Sequence, residues 1–168
     1  VGCAPAPSHT ALLGGGEAAL PITLSEPNAL LIDRAEWRLD DGDWQPEEDI
    51  LRIDNRVREL LSLPRRCNSA AQPWLWSVKP AENTLCLRAL ISSELALDGA
   101  CLALEHPERT EIRLNGRRVE ASPDGWYVDK AIQTVPLPPI PAGETELLLT
   151  IPFGVQTAVE WCYLLGDF

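Results

Sequence analysis

At 168 residues the chain is long enough to bury a sizeable core without disulfide or metal staples, and 45% hydrophobic with 23% charged residues is a globular balance. Fourteen basic against 25 acidic residues give a formal charge of -11, which repels nucleic-acid phosphates and anionic membrane surfaces alike. The longest apolar runs, such as Leu147-Leu148-Leu149-Thr150-Ile151, fall far short of the ~20 residues that cross a bilayer, so neither a nucleic acid nor a membrane is expected as partner.

Residues 1–28, with Ala4-Pro5-Ala6-Pro7 and Gly14-Gly15-Gly16, read as a linker or leading segment with room for one strand around Leu20 to Leu24. The sequence contains no methionine, which suits a domain excised from a longer polypeptide; Val1-Gly2-Cys3 resembles the end of a lipoprotein signal, but the apolar region that precedes such a site is missing. The rest, 29–168, is read as one domain. Ala29 to Leu39 is strand-like, and Asp40-Asp41-Gly42-Asp43 makes a polar turn into Trp44, the signature of a hairpin. Hard cations take several oxygen ligands, so the same acidic turn is a candidate for a structural calcium ion. Its spacing fits no EF-hand loop, and the hairpin explains it without a metal, so no cofactor is expected.

Pro46 to Leu61 reads as the one helix, within about 46–62. Pro46 suits a first turn, Glu47, Glu48 and Asp49 complement the positive N-terminal end, and Pro64 stops it. Ile50, Ile53, Val57, Leu60 and Leu61 recur at helical spacing and predict one buried face. After Pro73 the period changes to two: Leu85, Leu87, Ala89 and Ile91 alternate with Cys86, Arg88, Leu90 and Ser92. Asn115-Gly116 predicts a type I′ turn between Glu111–Leu114 and Arg117–Val119. Further strands are expected at Trp74–Val78, Leu102–Glu105, Ile132–Leu137, Glu144–Phe153 and Ala158–Leu165. Many short strands with Pro and Gly between them, and no alternating βαβ pattern, predict an all-β, two-layer antiparallel sandwich with one inserted or flanking amphipathic helix.

Local catalytic signatures are missing: no Gly-x-Gly-x-x-Gly, phosphate loop, Gly-x-Ser-x-Gly or His-Glu-x-x-His occurs. His9 and His106 have no matching ligand cluster and are read as surface residues. Five cysteines, Cys3, Cys67, Cys86, Cys101 and Cys162, contain no Cys-x-x-Cys pair, so zinc is not expected. Cys86, Cys101 and Cys162 lie in apolar stretches and are expected as buried free thiols, which tilts the location toward a reducing, cytoplasmic compartment. A glycosidase needs two carboxyl groups roughly 5 to 9.5 Å apart; Asp129 and Glu160, each beside aromatics, are the pair to watch, although solvated strand carboxylates explain both. No catalytic residue is assigned.

Tryptophan is abundant: Trp37, Trp44, Trp74, Trp76, Trp126 and Trp161, against two tyrosines and two phenylalanines. Indoles stack on sugars but more often fill cores and interfaces. Trp161, in step with Val159 and Tyr163, is expected to face a core or interface. Trp126 follows the Pro123-Asp124-Gly125 turn and is expected to be the accessible one. Trp126, Tyr127, Asp129 and Lys130 are the candidate carbohydrate-binding residues, aromatics for the sugar face and charges for its hydroxyls.

Thr110-Glu111-Ile112-Arg113-Leu114-Asn115-Gly116, then Asp124-Gly125-Trp126-Tyr127-Val128-Asp129-Lys130-Ala131-Ile132, then Pro141-Ala142-Gly143-Glu144-Thr145-Glu146-Leu147-Leu148-Leu149-Thr150-Ile151 occur in that order. With them, residues 102–168 resemble the sugar-binding-type jelly-roll domain of multidomain bacterial glycoside hydrolases, the galactose-binding-like β-sandwich of glycoside hydrolase family 2 and its relatives. Thr145 stands where that pattern has asparagine, at what is read as a turn. The resemblance implies a non-catalytic accessory domain that packs on the catalytic domain of the same polypeptide and can contact glycan, with the catalytic acids elsewhere. A freestanding carbohydrate-binding module and a catalytic glycosidase fragment using Asp129 or Glu160 are the alternatives. The packing role predicts exposed apolar surface on the helix or near Trp161.

Overall fold

A computed structural model describes residues 26–65 and 79–168. The expected strands at 20–24 and 74–78, together with Cys3, His9, Cys67, Trp74 and Trp76, lie outside the described residues. Among the described residues there are eleven strands and one α-helix: β1 Asn28–Ile32, β2 Arg34–Leu39, β3 Gln45–Asp49, α1 Ile50–Leu60, β4 Asn83–Ser93, β5 Cys101–Glu105, β6 Glu111–Leu114, β7 Arg117–Val119, β8 Gly125–Tyr127, β9 Asp129–Pro136, β10 Gly143–Phe153 and β11 Cys162–Gly166. They make two sheets, a five-stranded one in the order β1-β11-β5-β9-β8 and a six-stranded one in the order β3-β2-β4-β10-β6-β7. Every pairing between these strands is antiparallel.

Four of the pairs are nested in sequence. The hairpin β6·β7 is innermost; β5·β9 encloses it, β4·β10 encloses that, and β1·β11 is outermost. Successive pairs alternate between the two sheets. The innermost turn carries the predicted Asn115-Gly116, both at positive φ (49° and 76°), as a type I′ turn requires. Asn115 Oδ1 also accepts a hydrogen bond from the Glu146 N–H at 2.9 Å, which ties the turn to β10.

One apolar cluster joins both sheets. Ile32, Leu102, Leu104, Val135 and Leu164 enter it from the five-stranded sheet, and Trp37, Leu85, Leu87, Ile112, Leu147 and Phe153 from the six-stranded sheet. This is a β-sandwich core, filled by alternate residues of each strand.

Several boundaries differ from expectation; the strand expected over 158–165, for one, begins only at Cys162. The strand expected over 29–39 is two strands in different sheets. The chain leaves β1 at Asp33, whose carbonyl accepts the Ile50 N–H at 2.8 Å, and resumes as β2 in the other layer. A corner of this kind leaves the hydrophobic pattern continuous, which is why it does not show in the sequence. The helix likewise begins at Ile50 rather than Pro46, because residues 45–49 pair with β2 as an edge strand. Proline is tolerated at an edge. Asp49 is the N-cap: its carboxylate accepts the Arg52 N–H at 3.1 Å. The helix ends as Ser62 takes a left-handed conformation and the Leu63 N–H bonds the Arg58 carbonyl. Thr145 is a further correction: it lies inside β10, wholly buried opposite Ile91, with Gly143 rather than Thr145 at the bend.

Ile50, Ile53 and Val57 bury the predicted apolar face of α1 against the sandwich, while Leu60 is left exposed. Asp54 and Arg58 are buried on the same side, at 1% and 3% exposure. Arg58 Nε donates to Asp54 Oδ2 at 2.8 Å, its Nη1 donates to the carbonyls of Pro64 and Val155 at 3.3 Å, and its Nη2 donates to the Thr157 carbonyl. The guanidinium also lies 5.6 Å from the centre of the Phe153 ring, within cation–π range. Removing one partner of a buried pair leaves a lone charge without water. Arg58→Met is therefore expected to lower stability by about 3–5 kcal/mol, and Asp54→Leu/Arg58→Met by less, because the double substitution leaves no unpaired charge. Urea unfolding at constant m-value is the measurement.

Candidate functional site

The tryptophan-bearing turn at 122–130 forms the outer edge of the five-stranded sheet. Asp124 fastens it to β9: its N–H donates to the Thr134 carbonyl at 3.0 Å and its Oδ1 accepts from Thr134 Oγ1 at 2.8 Å. Gly125 fits closely there, since a Cβ would fall 3.0 Å from Thr134 Oγ1 and the hydroxyl would have to give way. β8 and β9 then turn through Val128 at φ 60°. Consecutive strand residues face opposite sides, and burial follows: Trp126 is 57% exposed, whereas Tyr127 is half-buried with its ring 5.5 Å from that of Tyr163. Asp129 Oδ1 accepts the Ala131 N–H at 2.8 Å, a local turn contact, and Lys130 is exposed. The four candidate residues thus share one hairpin, in which Trp126, Asp129 and Lys130 are exposed and Tyr127 is half-buried.

A cleft lies elsewhere, where the sheets part at one end. It encloses about 330 Å³, within the range of small-ligand sites. Its floor is aliphatic, from Leu87, Leu104, Leu149 and Val159, with the buried Cys162 thiol beside them. Glu105, His106, Arg109 and Thr110 supply polar groups on one side, and Gln156, Thr157 and Glu160 on the other. Glu160 therefore belongs to this cleft, whereas Asp129, Trp126, Tyr127 and Lys130 do not line it. The two carboxylates singled out as a catalytic pair are not brought together in it.

Both sides of the cleft are held by specific contacts. His106 adopts a left-handed conformation (φ 52°, ψ 49°) before a short 3-10 turn at Pro107–Arg109, a backbone region that non-glycine residues enter at an energetic cost. Its carbonyl accepts from Thr110 Oγ1 at 3.2 Å, and its Nδ1 lies 3.2 Å from Glu108 Oε1. Opposite, Thr157 Oγ1 accepts the Gly154 N–H at 2.9 Å and donates to the Pro152 carbonyl at 3.0 Å, while Arg58 holds the carbonyls of Val155 and Thr157 from behind. At the mouth Gly154 lets the backbone pass close to Ala81, whose Cα would stand 3.2 Å from a Cβ at that position.

A second cluster escaped sequence reasoning because three elements build it. On the outer face of the six-stranded sheet, Trp44 lies 5.1 Å from the Arg38 guanidinium and 4.2 Å from that of Arg88. Arg88 Nε also donates to Glu36 at 2.7 Å. Arg38 Nη2 stands 3.9 Å from Cys86 Sγ, so Cys86 is buried beneath arginine on that outer face rather than in the shared core. Trp37 is buried in the core and Trp161 packs partly buried against it. The acidic turn is a hairpin in which Asp40 accepts from the Thr84 N–H at 2.7 Å and the Asn83 amide at 2.9 Å, fixing the start of β4. Among the described residues no group of three or more metal-ligating side chains is gathered, and no helix is long and apolar enough to cross a membrane.

No protein-family model matches the chain, and no curated protein matches it significantly.

Of the three described cysteines, Cys86 and Cys162 are buried and Cys101 is partly accessible, all as free thiols. Burial pushes Cys162 from its ordinary 9.0 up to about 12, and burial followed by the Asp124 charge raises Cys101. Cys162 therefore remains a thiol when folded at pH values where it ionises unfolded. Stability from this group is present below pH 9 and falls as pH rises toward 12, on the order of 1 kcal/mol per pH unit. The alkaline slope of stability, measured by urea unfolding from pH 8 upward, is expected to be shallower in Cys162→Ala. At the hairpin tip, Val128 is β-branched, 78% exposed and held at positive φ. Val128→Gly is expected to raise the urea midpoint, worth about 1 kcal/mol, by relieving that backbone conformation.

Proposed function

We propose that this chain is a non-catalytic accessory β-sandwich domain of a larger bacterial glycoside hydrolase-like protein, packing on the catalytic domain of the same polypeptide and contacting glycan. The proposal includes the finer fold, a jelly roll of the galactose-binding-like kind. Support for the jelly roll comes from the nested pairs β1·β11, β4·β10, β5·β9 and β6·β7, which give the interleaved orders β1-β11-β5-β9 and β4-β10-β6-β7. That is a hairpin ladder rolled into two layers. β2, β3 and β8 extend the edges.

The observation that carries the packing role is an exposed apolar surface beside the corner at Asp33. Leu30, Leu31 and Leu90 are 43%, 40% and 66% exposed and line one groove with Arg34, Glu36, Glu47 and Arg88. Among the described residues β1 is an edge strand, and apolar groups rimmed by charge suit a packing partner. This is not where such surface was expected: α1 turns its apolar face onto its own sandwich, leaving only Leu60 outward, and Trp161 packs on the core.

The exposed Trp126 favours glycan contact as a second element of the reading, with Lys130 and Asp129 at the other arm of the same hairpin. Leu31→Ser/Leu90→Ser is expected to leave the isolated domain within about 0.5 kcal/mol of its original stability, yet to lower the unfolding midpoint of the polypeptide that carries it. Unchanged midpoints in both would overturn the packing role. Titration of a broad glycan panel, followed by tryptophan fluorescence in the original chain and in Trp126→Ala, tests the contact; a silent panel with folded protein removes it.

A further inference from the structure

The cleft at the parting of the sheets is not absorbed by that reading. Its floor is aliphatic and belongs to both layers: Leu104 comes from β5, Leu87 from β4 and Leu149 from β10. Among the described residues no aromatic side chain lines it. Saturated chain is what such a floor accepts, each methylene exchanging water for aliphatic contact.

The mouth carries Lys79 and Arg109 against Glu105 and Glu160. Both signs of charge stand there, so a head bearing either one meets like charge, and Glu160 has a contact of its own besides. Glu108 already lies 3.5 Å from Arg109 Nε and 3.2 Å from His106 Nδ1, which offsets positive charge on that side. A hydroxyl group both donates and accepts, so it bonds either kind of rim residue without desolvating a charge of its own. Thr110 and Gln156 add neutral partners.

The walls are set before any ligand arrives. Arg58, itself 3% exposed, fixes the 154–157 turn from behind, and Thr157 closes that turn on itself. A cleft with pre-ordered walls loses little conformational entropy on binding.

We infer that this cleft binds a small neutral amphiphile, its short aliphatic chain between the sheets and its hydroxylated head at the rim. The site is separate from Trp126 and from the Leu30, Leu31 and Leu90 surface. Calorimetric titration with 1,2-butanediol, 1,2-hexanediol and 1,2-octanediol, below micelle-forming concentrations, tests it. Affinity is expected to rise about fourfold per methylene, and octanoate and octyltrimethylammonium to bind at least tenfold more weakly than 1,2-octanediol. Ala158→Phe, which fills the cleft, is expected to abolish binding, and Ala81→Trp at the exposed mouth to weaken it at least tenfold should the first variant not fold. Trp126→Ala is expected to bind as the original does. Affinity independent of chain length, preference for either charged head, undiminished binding in a folded cleft variant, or loss of binding in Trp126→Ala would each overturn the inference.

Discussion

The arginine at position 58 has almost no contact with water, and three parts of the molecule depend on how its charge is compensated. Asp54, one helical turn earlier, balances it; the carbonyls of Pro64, Val155 and Thr157 accept three further hydrogen bonds; Phe153 lies near its plane. A planar guanidinium with five donors can reach partners on several sides at once, which a lysine ammonium cannot do in the same geometry. The helix is thereby joined to the turn that follows the long strand β10, and that turn forms one wall of the cleft. Buried ion pairs add little net stability when compared with apolar replacements, but they tolerate few alternative arrangements. At this position the arginine's bonds to the Val155 and Thr157 carbonyls fix where the helix and the cleft wall stand relative to each other, with Asp54 compensating its charge.

The sandwich itself follows from nesting. Once the Asn115-Gly116 turn sets β6 against β7, each enclosing pair lies in the opposite layer, and the chain closes with β1 against β11. The outermost pair joins residues 28–32 to 162–166, so the edge bearing Leu30 and Leu31 exists only when both ends of the described chain have met. Exposed apolar surface and cleft consequently arise from long-range pairing, while the Trp126 hairpin is made by one local turn. The two kinds of feature fit different tasks: packing and enclosure for the former, surface contact for the latter.

Local chemistry made much of this visible in advance. Period-two alternation marks β4, Asn-Gly marks the tightest hairpin, and Trp126 beside Pro-Asp-Gly is exposed as expected. The corner at Asp33 was hidden, because apolar residues continue on both sides of it. Residues 46–49 read as the start of the helix, because an acidic run after proline is as good a first helical turn as it is an edge strand; the pairing with β2 decides the matter. Glu160 and His106 were each noticed singly, without any sign that the fold would place them at one cleft. Cys86 was expected to be buried, yet its cover is Arg38 from a neighbouring strand, which no spacing in the sequence reveals.

By itself the sequence determined the elements whose causes lie within a few residues: strand alternation, turn residues, the apolar stripe of the helix, and a charge balance that repels polyanions. Tertiary structure alone decided which sheet each strand joined, that an arginine would be withdrawn from water, and where the sheets would part to leave a cleft. The physical reason is range. Backbone sterics and side-chain periodicity act between near neighbours, whereas layer assignment, charge burial and cavity shape are set by contacts such as Arg58 with Thr157 and Asn28 with Gly166, whose partners are far apart along the chain.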